Sequence, residues 1–269
     1  MNPAGRNRGD AIVDVKEAAA QLNRYLLPSS FPLGVKILDH GEGVPKGAKT
    51  PLHNFKKKLA VCQLMTMARR YGWTVAFGRE EQKCALGALI FGLEKPGPFY
   101  LQGHLAAHTY VSSPEAGARS EEAMPRLAIN PGRWVVIGPL DRMDDEPDVV
   151  VVYGHPAQMM RLIQADLFEK GGAFTTAMSG RGACAEEVAG PYLTGRCQLA
   201  MPCTGERIFG QTQDFEMAFG IPAARLNAIL TGLAETHKKG VRYPITSTLN
   251  YEAVFPAAYG QVEKEFAGE

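Results

Sequence analysis

Early in the chain the apolar positions recur at spacings of three and four: Ile12, Val15, Ala19, Leu22 and Leu26. This spacing predicts a helix with one apolar face, from a cap at Asp10 to about Leu27, where Pro28 ends it. The period then shortens. Phe31–Leu38 alternates and is rich in branched residues, which predicts a strand with Lys36 inside it. Residues 39–53 are rich in Gly, Pro and Lys and read as a loop. Phe55–Tyr71 returns to helical spacing, and Gly72 stands where a helix closes. Trp73–Phe77, Arg133–Gly138 and Phe174–Met178 read as short strands. Val149–Tyr153 is an unbroken apolar run, which suits a strand covered on both faces. Helices are expected near Pro114–Met124, over Pro156–Lys170 with Gly171-Gly172 after it, and beyond Phe219 with Pro222 in the first turn. The rest of 95–132 reads as loop, Leu140–Pro147 as an acidic turn, and the tail from Val241 as short strand and loop.

Strands alternating with helices predict an α/β or α+β fold, a mixed sheet with helices packed on it. Residues 1–9 read as a disordered lead and 10–269 as one globular domain, divisible into halves at about 28–130 and 131–240. An internal repeat is one basis for that division. Trp73–Leu93 and Ala173–Leu193 both run strand, loop, Cys, helix, at a constant offset of 100 residues. Gly72/Gly172, Cys84/Cys184, Ala85/Ala185 and Leu93/Leu193 match, four identities in 22 positions, which is weak support.

The chain has 269 residues, enough for one large domain or two small ones. A net charge of +1 gives no global field for nucleic acid or a membrane. No apolar segment follows MNPAGRNRGD as a signal peptide requires, and no apolar run approaches the roughly 18 residues of a membrane span. The expected compartment is the cytoplasm, where thiols stay reduced. Five cysteines there favour thiol, metal or cluster roles over disulfides.

The densest chemistry lies in Met178–Gly210, which holds Cys184, Cys197 and Cys203. Cys184 follows SGRGA, a strand-to-helix turn, where a helix N-terminus stabilises a thiolate. Cys203 sits in PCTGER, and glycine turns expose N–H groups that can bind cluster sulfides. Cys84 stands at another loop-to-helix junction. Cys62 falls beside Leu59 and Met65 on a helix, where a lone thiol usually packs as a small hydrophobe. No C-x-x-C pair exists, which excludes a zinc knuckle or a ferredoxin-type motif. Three readings stay open: a cluster or metal on Cys62, Cys84, Cys184 and Cys203; inert buried thiols; or a reactive thiol at Cys184.

Lys36, Arg161, Arg181 and Arg207 lie in or beside apolar segments. Surface ion pairs explain them as readily as recognition of a carboxylate or phosphate by Arg forks. SGRG lacks the GK[ST] ending of a phosphate loop. His104 and His108 form H-x-x-x-H in loop-like surroundings with no acidic third ligand, a poor metal site. His155, between a strand end and Pro156, is where α/β proteins place ligand-contacting residues.

Several longer pieces form a pattern: PLGVKIL at 32–38, VCQLMTMAR at 61–69, KCALGALIFGL at 83–93, PDVVVVYGHPAQMMRLIQA at 147–165, SGRGACAEEVAGPYLTG at 179–195, PCTGER at 202–207 and FGIP at 219–222. With these the chain resembles the uncharacterised ArCR-type family, domain-of-unknown-function family 169, over most of its length. The resemblance places the recurring cysteines on Cys62, Cys84, Cys184 and Cys203 and leaves Cys197 outside the set. It implies no reaction.

The leading expectation is a [4Fe–4S] cluster on those four cysteines. Lys36, Arg161, Arg181 and Arg207 would bind a small anionic substrate or tune the cluster, in lyase or oxidoreductase chemistry. Four ligands leave no iron open, which favours electron transfer, sensing or bracing. If Cys62 only packs, an open iron permits lyase or hydratase chemistry. The alternatives are a cluster-free enzyme, with Cys184 as nucleophile, His155 as base and Lys36 and Arg207 assisting, and a non-enzymatic accessory module. The expected partners are the small anion and a second copy of the chain or a redox partner protein.

Overall fold

The structure is a computed structural model that describes residues 14–39, 43–246 and 252–268. Helix α1 (Val15–Leu26) starts at Asp14, whose carboxylate accepts the Lys16 N–H at 2.8 Å. The expected cap at Asp10 and the lead at 1–9 lie outside the described residues. Strand β1 (Leu33–Leu38) follows, then a π-helical turn at Pro51–Phe55 and α2 (Val61–Tyr71). Gly72 closes α2 at φ 70°, as its position suggested. The helix starts six residues later than its apolar spacing indicated. Lys56 takes the left-handed conformation and Leu59 forms a bridge with Gln82, so the backbone is held extended up to Ala60.

The chain continues through β2 (Val75–Phe77), α3 (Ala85–Ile90), α4 (Pro98–Leu101) and α5 (Pro114–Ala123). Next come β3 (Trp134–Pro139), β4 (Val149–Gly154) and α6 (Pro156–Leu167). A π-helical turn at Ala185–Ala189 runs into α7 (Gly190–Thr194), followed by β5 (Gln198–Ala200) and α8 (Thr204–Phe209). The last elements are β6 (Met217–Pro222), α9 (Ala223–Lys238) and α10 (Tyr259–Ala267).

The six strands form one sheet in the order β2-β3-β1-β4-β6-β5, and each of these strand pairs is antiparallel. The sheet with helices packed on it is therefore present, in antiparallel form. Strand alternation divides it into two faces. Val35, Ile137, Val75, Val151, Tyr153 and Ala218 lie on the first face, with α2, α3 and the 185–189 turn packed over them. Val150, Val152, Phe219 and Ile221 lie on the second, under α1, α6 and α9. β4 is buried along its whole length, as its unbroken apolar run predicted.

Other stretches also differ from the sequence reading. Phe174–Met178 forms no strand. The Thr176 hydroxyl donates to the Leu199 carbonyl at 2.8 Å and accepts the Leu199 N–H at 3.2 Å, so a side chain stands in for a backbone ladder. Pro222 ends β6 and caps α9, so the first residues expected in that helix close a strand instead. The described part of the tail carries a helix, α10, where short strand and loop were expected.

Candidate thiol site

Four of the five cysteines begin helical segments. Cys84 precedes α3, Cys184 the 185–189 turn and Cys203 α8, and Cys62 is the second residue of α2. All these segments stand on or beside the first face of the sheet, and Cys184 packs against that core directly. A Cβ added to Gly205 would lie 3.6 Å from Cys203 Sγ and 3.7 Å from Cys62 Sγ, so these two sulfurs flank one gap that glycine leaves open.

Burial and neighbouring groups raise three of the four thiols. Burial first, then the charges of Glu206, Cys203 and Cys84, push the Cys62 thiol up to about 12. Burial, then Cys203, Cys84, Glu187 and Cys62, hold Cys184 well above the usual thiol range. Cys203 is raised by burial, against which the backbone N–H groups of Ala183, Glu206 and Gly205 pull it down. The Cys84 sulfur accepts the Gly87 N–H at 3.4 Å. Of the set named in the sequence, Cys62 and Cys203 flank one gap, and Cys84 and Cys184 lie within electrostatic reach of thiols of the set. Among the described residues, no group of three or more His, Cys, Asp or Glu side chains closes around a point as a single metal ion requires.

Cys197 stands apart. It is buried in the core of the second face, where burial and then Asp166 raise its thiol.

Beside the thiols lies a pair of carboxylates that the sequence reading missed. Glu187 and Glu206 are both buried, and the Tyr153 hydroxyl joins them. It lies 2.6 Å from Glu206 Oε1 and 3.0 and 3.1 Å from the two Glu187 oxygens. A phenol has one proton to give. The shortest contact takes it to Glu206, so the contacts to Glu187 call for a proton on Glu187 itself. Burial raises both carboxyls, and the Glu206 charge adds to the rise at Glu187, which lies well above the usual carboxylate range. A signal for the pair was present: Cys184-x-x-Glu187 and Cys203-x-x-Glu206 share one spacing, that of a capping box with Cys in place of Ser or Thr.

Arg69 extends this polar network. Its guanidinium lies 4.2 Å from the Tyr153 ring centroid and bonds Glu216 at 2.8 Å.

The four expected anion-binding cations do not gather here. Lys36 alternates with Val35 and Ile37, so it faces the second side of the sheet, where it meets Asp148 at 3.4 Å. Arg161 is buried between α6 and α9, bonded to Thr236 at 2.8 Å and to the Leu233 carbonyl at 3.3 Å. Arg181 is near the thiols in sequence but is taken up by a buried ion pair with Glu121. Arg207 stands on α8, half-buried, and donates to the Gln213 carbonyl at 2.9 Å. His155 lies 2.6 Å from the Tyr243 hydroxyl, and no hydrogen bond joins it to Cys184 among the described residues.

Comparison with known proteins bears on the whole chain. Residues 21–232 match the model of a family described as Uncharacterised ArCR, DUF169. An uncharacterized protein of Methanocaldococcus jannaschii, MJ0308, is 26% identical over 228 residues, covering 82% of this chain and 94% of its own length. No solved structure matches. Among the described residues, no helix is long and apolar enough to cross a membrane.

Proposed function

This chain belongs to the DUF169 family, and from that premise we propose that its four-thiol site holds a [4Fe–4S] cluster serving as a redox centre. The observation that carries the reading is that Cys62 and Cys203 flank the gap at Gly205, with Cys84 close enough to act on the Cys62 and Cys184 thiols electrostatically and Cys62 and Cys203 acting on Cys184. Neutral thiols gain little from one another, and four thiolates would repel. A polynuclear iron centre supplies the positive charge that reverses this balance. It also spreads its thiolates over several irons, so it accepts a wider donor set than one ion does. When bound, such a cluster supplies one-electron redox capacity.

The chain's own residues have definite parts. Backbone N–H groups at Gly87, and at Ala183, Gly205 and Glu206, offer bonds to sulfur. Glu187, Tyr153 and Glu206 hold a proton beside the thiols without exposing it to water. With four thiols in reach no iron is left open, which favours electron transfer over lyase chemistry. Of the four cations considered for a small anionic substrate, Arg207 is the one on a thiol-bearing helix with solvent access. The cluster-free nucleophile is less well supported, because burial holds the Cys184 thiol protonated.

Single Cys→Ser replacements test the ligand set. Iron content falls sharply in the variants of Cys62, Cys84, Cys184 and Cys203 and is unchanged in Cys197→Ser. Full iron in Cys184→Ser and Cys203→Ser overturns the assignment.

A further inference from the structure

Positive charge is unevenly placed along this nearly neutral chain. Residues 43–79 carry eight Lys or Arg and no Asp or Glu, against 29 cations and 28 acids overall. Three of the eight are spent elsewhere: Arg69 and Arg70 on Glu216, and Arg79 on Glu94. What remains exposed includes the run Lys56-Lys57-Lys58.

The backbone sets that run against the thiols. Leu59 N–H donates to the Glu81 carbonyl at 3.1 Å, and Lys83 N–H donates to the Leu59 carbonyl at 3.0 Å. Lys58 and Lys83 therefore emerge from adjacent segments, four residues before Cys62 and one before Cys84. Lys58 has a loose partner in Glu80 at 3.8 Å. Lys56 bonds the His53 carbonyl at 2.9 Å, which leaves its charge uncancelled.

Exposed apolar side chains stand on α8, which packs beside α2 and Cys62. Ile208 and Phe209 on α8 are 66% and 56% exposed, large for apolar side chains on a helix that starts at a thiol. The next residue, Gly210, packs on the Cys62 carbonyl, where an added Cβ would lie 3.1 Å from the oxygen. Cys62, Cys84 and Cys203 are only half-buried beneath this surface. An exposed apolar centre beside a cluster of exposed lysines, in which basic groups outnumber acids, is the build of a protein-docking face, where the charges steer the encounter.

We propose that this surface, over Cys62 and Cys84, docks an acidic electron-carrier protein. The partner's class rests on the redox reading of the thiol site, and the charge of the surface selects its sign. Lysines here are solvated point charges rather than Arg forks, which suits fast, salt-sensitive docking better than bidentate recognition of phosphates.

The test is a calorimetric titration with a purified acidic bacterial ferredoxin at low and at high salt. It compares the full chain with the triple variant Lys56→Glu/Lys57→Glu/Lys58→Glu. All three positions are exposed, and a matching melting curve confirms that the variant folds. The double variant Lys238→Glu/Lys239→Glu, at the far end of α9, is the control for charge alone. The expected result is binding that weakens with salt and falls at least about tenfold in the triple variant but not in the control. Equal loss in the control, unchanged binding in the triple variant, or no binding by the unaltered chain overturns the proposal. So does stronger binding of heparin or single-stranded DNA, which would make the face a polyanion site. Titrating iron-loaded and chelator-stripped protein separates the two readings. Docking without iron in any preparation defeats the redox reading alone, whereas iron without docking defeats the docking face alone.

Discussion

Glu187 is fully buried, and its neighbours are a phenol, a second carboxylate and a thiol site. Burial raises it well above the usual carboxylate range, so the metal-free fold keeps it protonated where the unfolded chain ionises it. The stabilising condition is then low pH. The contribution is complete below the ordinary carboxylate pKa and is lost as pH rises toward the raised one, by up to about 1.4 kcal/mol per pH unit. Glu187→Gln is expected to remove that loss: its amide N–H groups can donate to the Tyr153 oxygen and to Glu206 Oε2. Melting of the metal-free protein from pH 5 to pH 9 checks this. The variant should be the more stable at the alkaline end, and a parallel decline in both proteins counts against a proton on Glu187.

Arg69 makes a second case. Its removal leaves Glu216 with Arg70 as its remaining cation, at 3.1 Å, in a site that is 2% exposed. Arg69→Ala should therefore destabilise by about 3 kcal/mol, read by urea unfolding, with Arg69→Met less affected because the stem still packs. At this scale the sequence was partly legible. The thiols were legible because Cys84, Cys184 and Cys203 stand at turns with glycines or helix starts nearby. The carboxylates were not, because an acid three residues after a thiol looks like a solvated helix start until a buried tyrosine is known to meet it. Lys36 was misplaced for a related reason: alternation tells which residues share a face of β1, but not which face the thiols occupy.

Among the elements, the 185–189 turn governs the site, because it follows Cys184 and carries Glu187. It lies against β6 so closely that a Cβ on Gly220 would come within 2.1 Å of the Glu187 carbonyl oxygen. Gly220→Ala should push the turn off the sheet, costing about 1–3 kcal/mol and lowering iron content with no change to any thiol. Thermal melting and iron analysis of that variant check both effects, and normal iron with normal stability would show that the turn does not need the glycine. β1, β3 and β4 were readable as strands from their apolar runs. β6 was hidden because Pro222 both ends the strand and caps α9, two jobs that a linear reading assigns to one element. The start of α2 was hidden because its apolar spacing extends upstream into residues whose backbone is held by a bridge to Gln82.

Among the described residues, one antiparallel sheet separates the two larger cores. The four thiols, Glu187, Glu206 and Tyr153 belong to the first face. Cys197, Arg161 and Lys36 belong to the second. This division explains why one cysteine lies outside the set and why two expected anion ligands cannot reach the site. The alternation of elements foretold a sheet with helices on it, but the pairing order that sorts residues between faces depends on contacts distant in sequence. The most direct measurement is the count of iron and acid-labile sulfide per chain in protein purified without oxygen. The cluster reading predicts about four of each and a brown protein absorbing broadly in the visible blue. A colourless protein with neither, after anaerobic reconstitution, would contradict it.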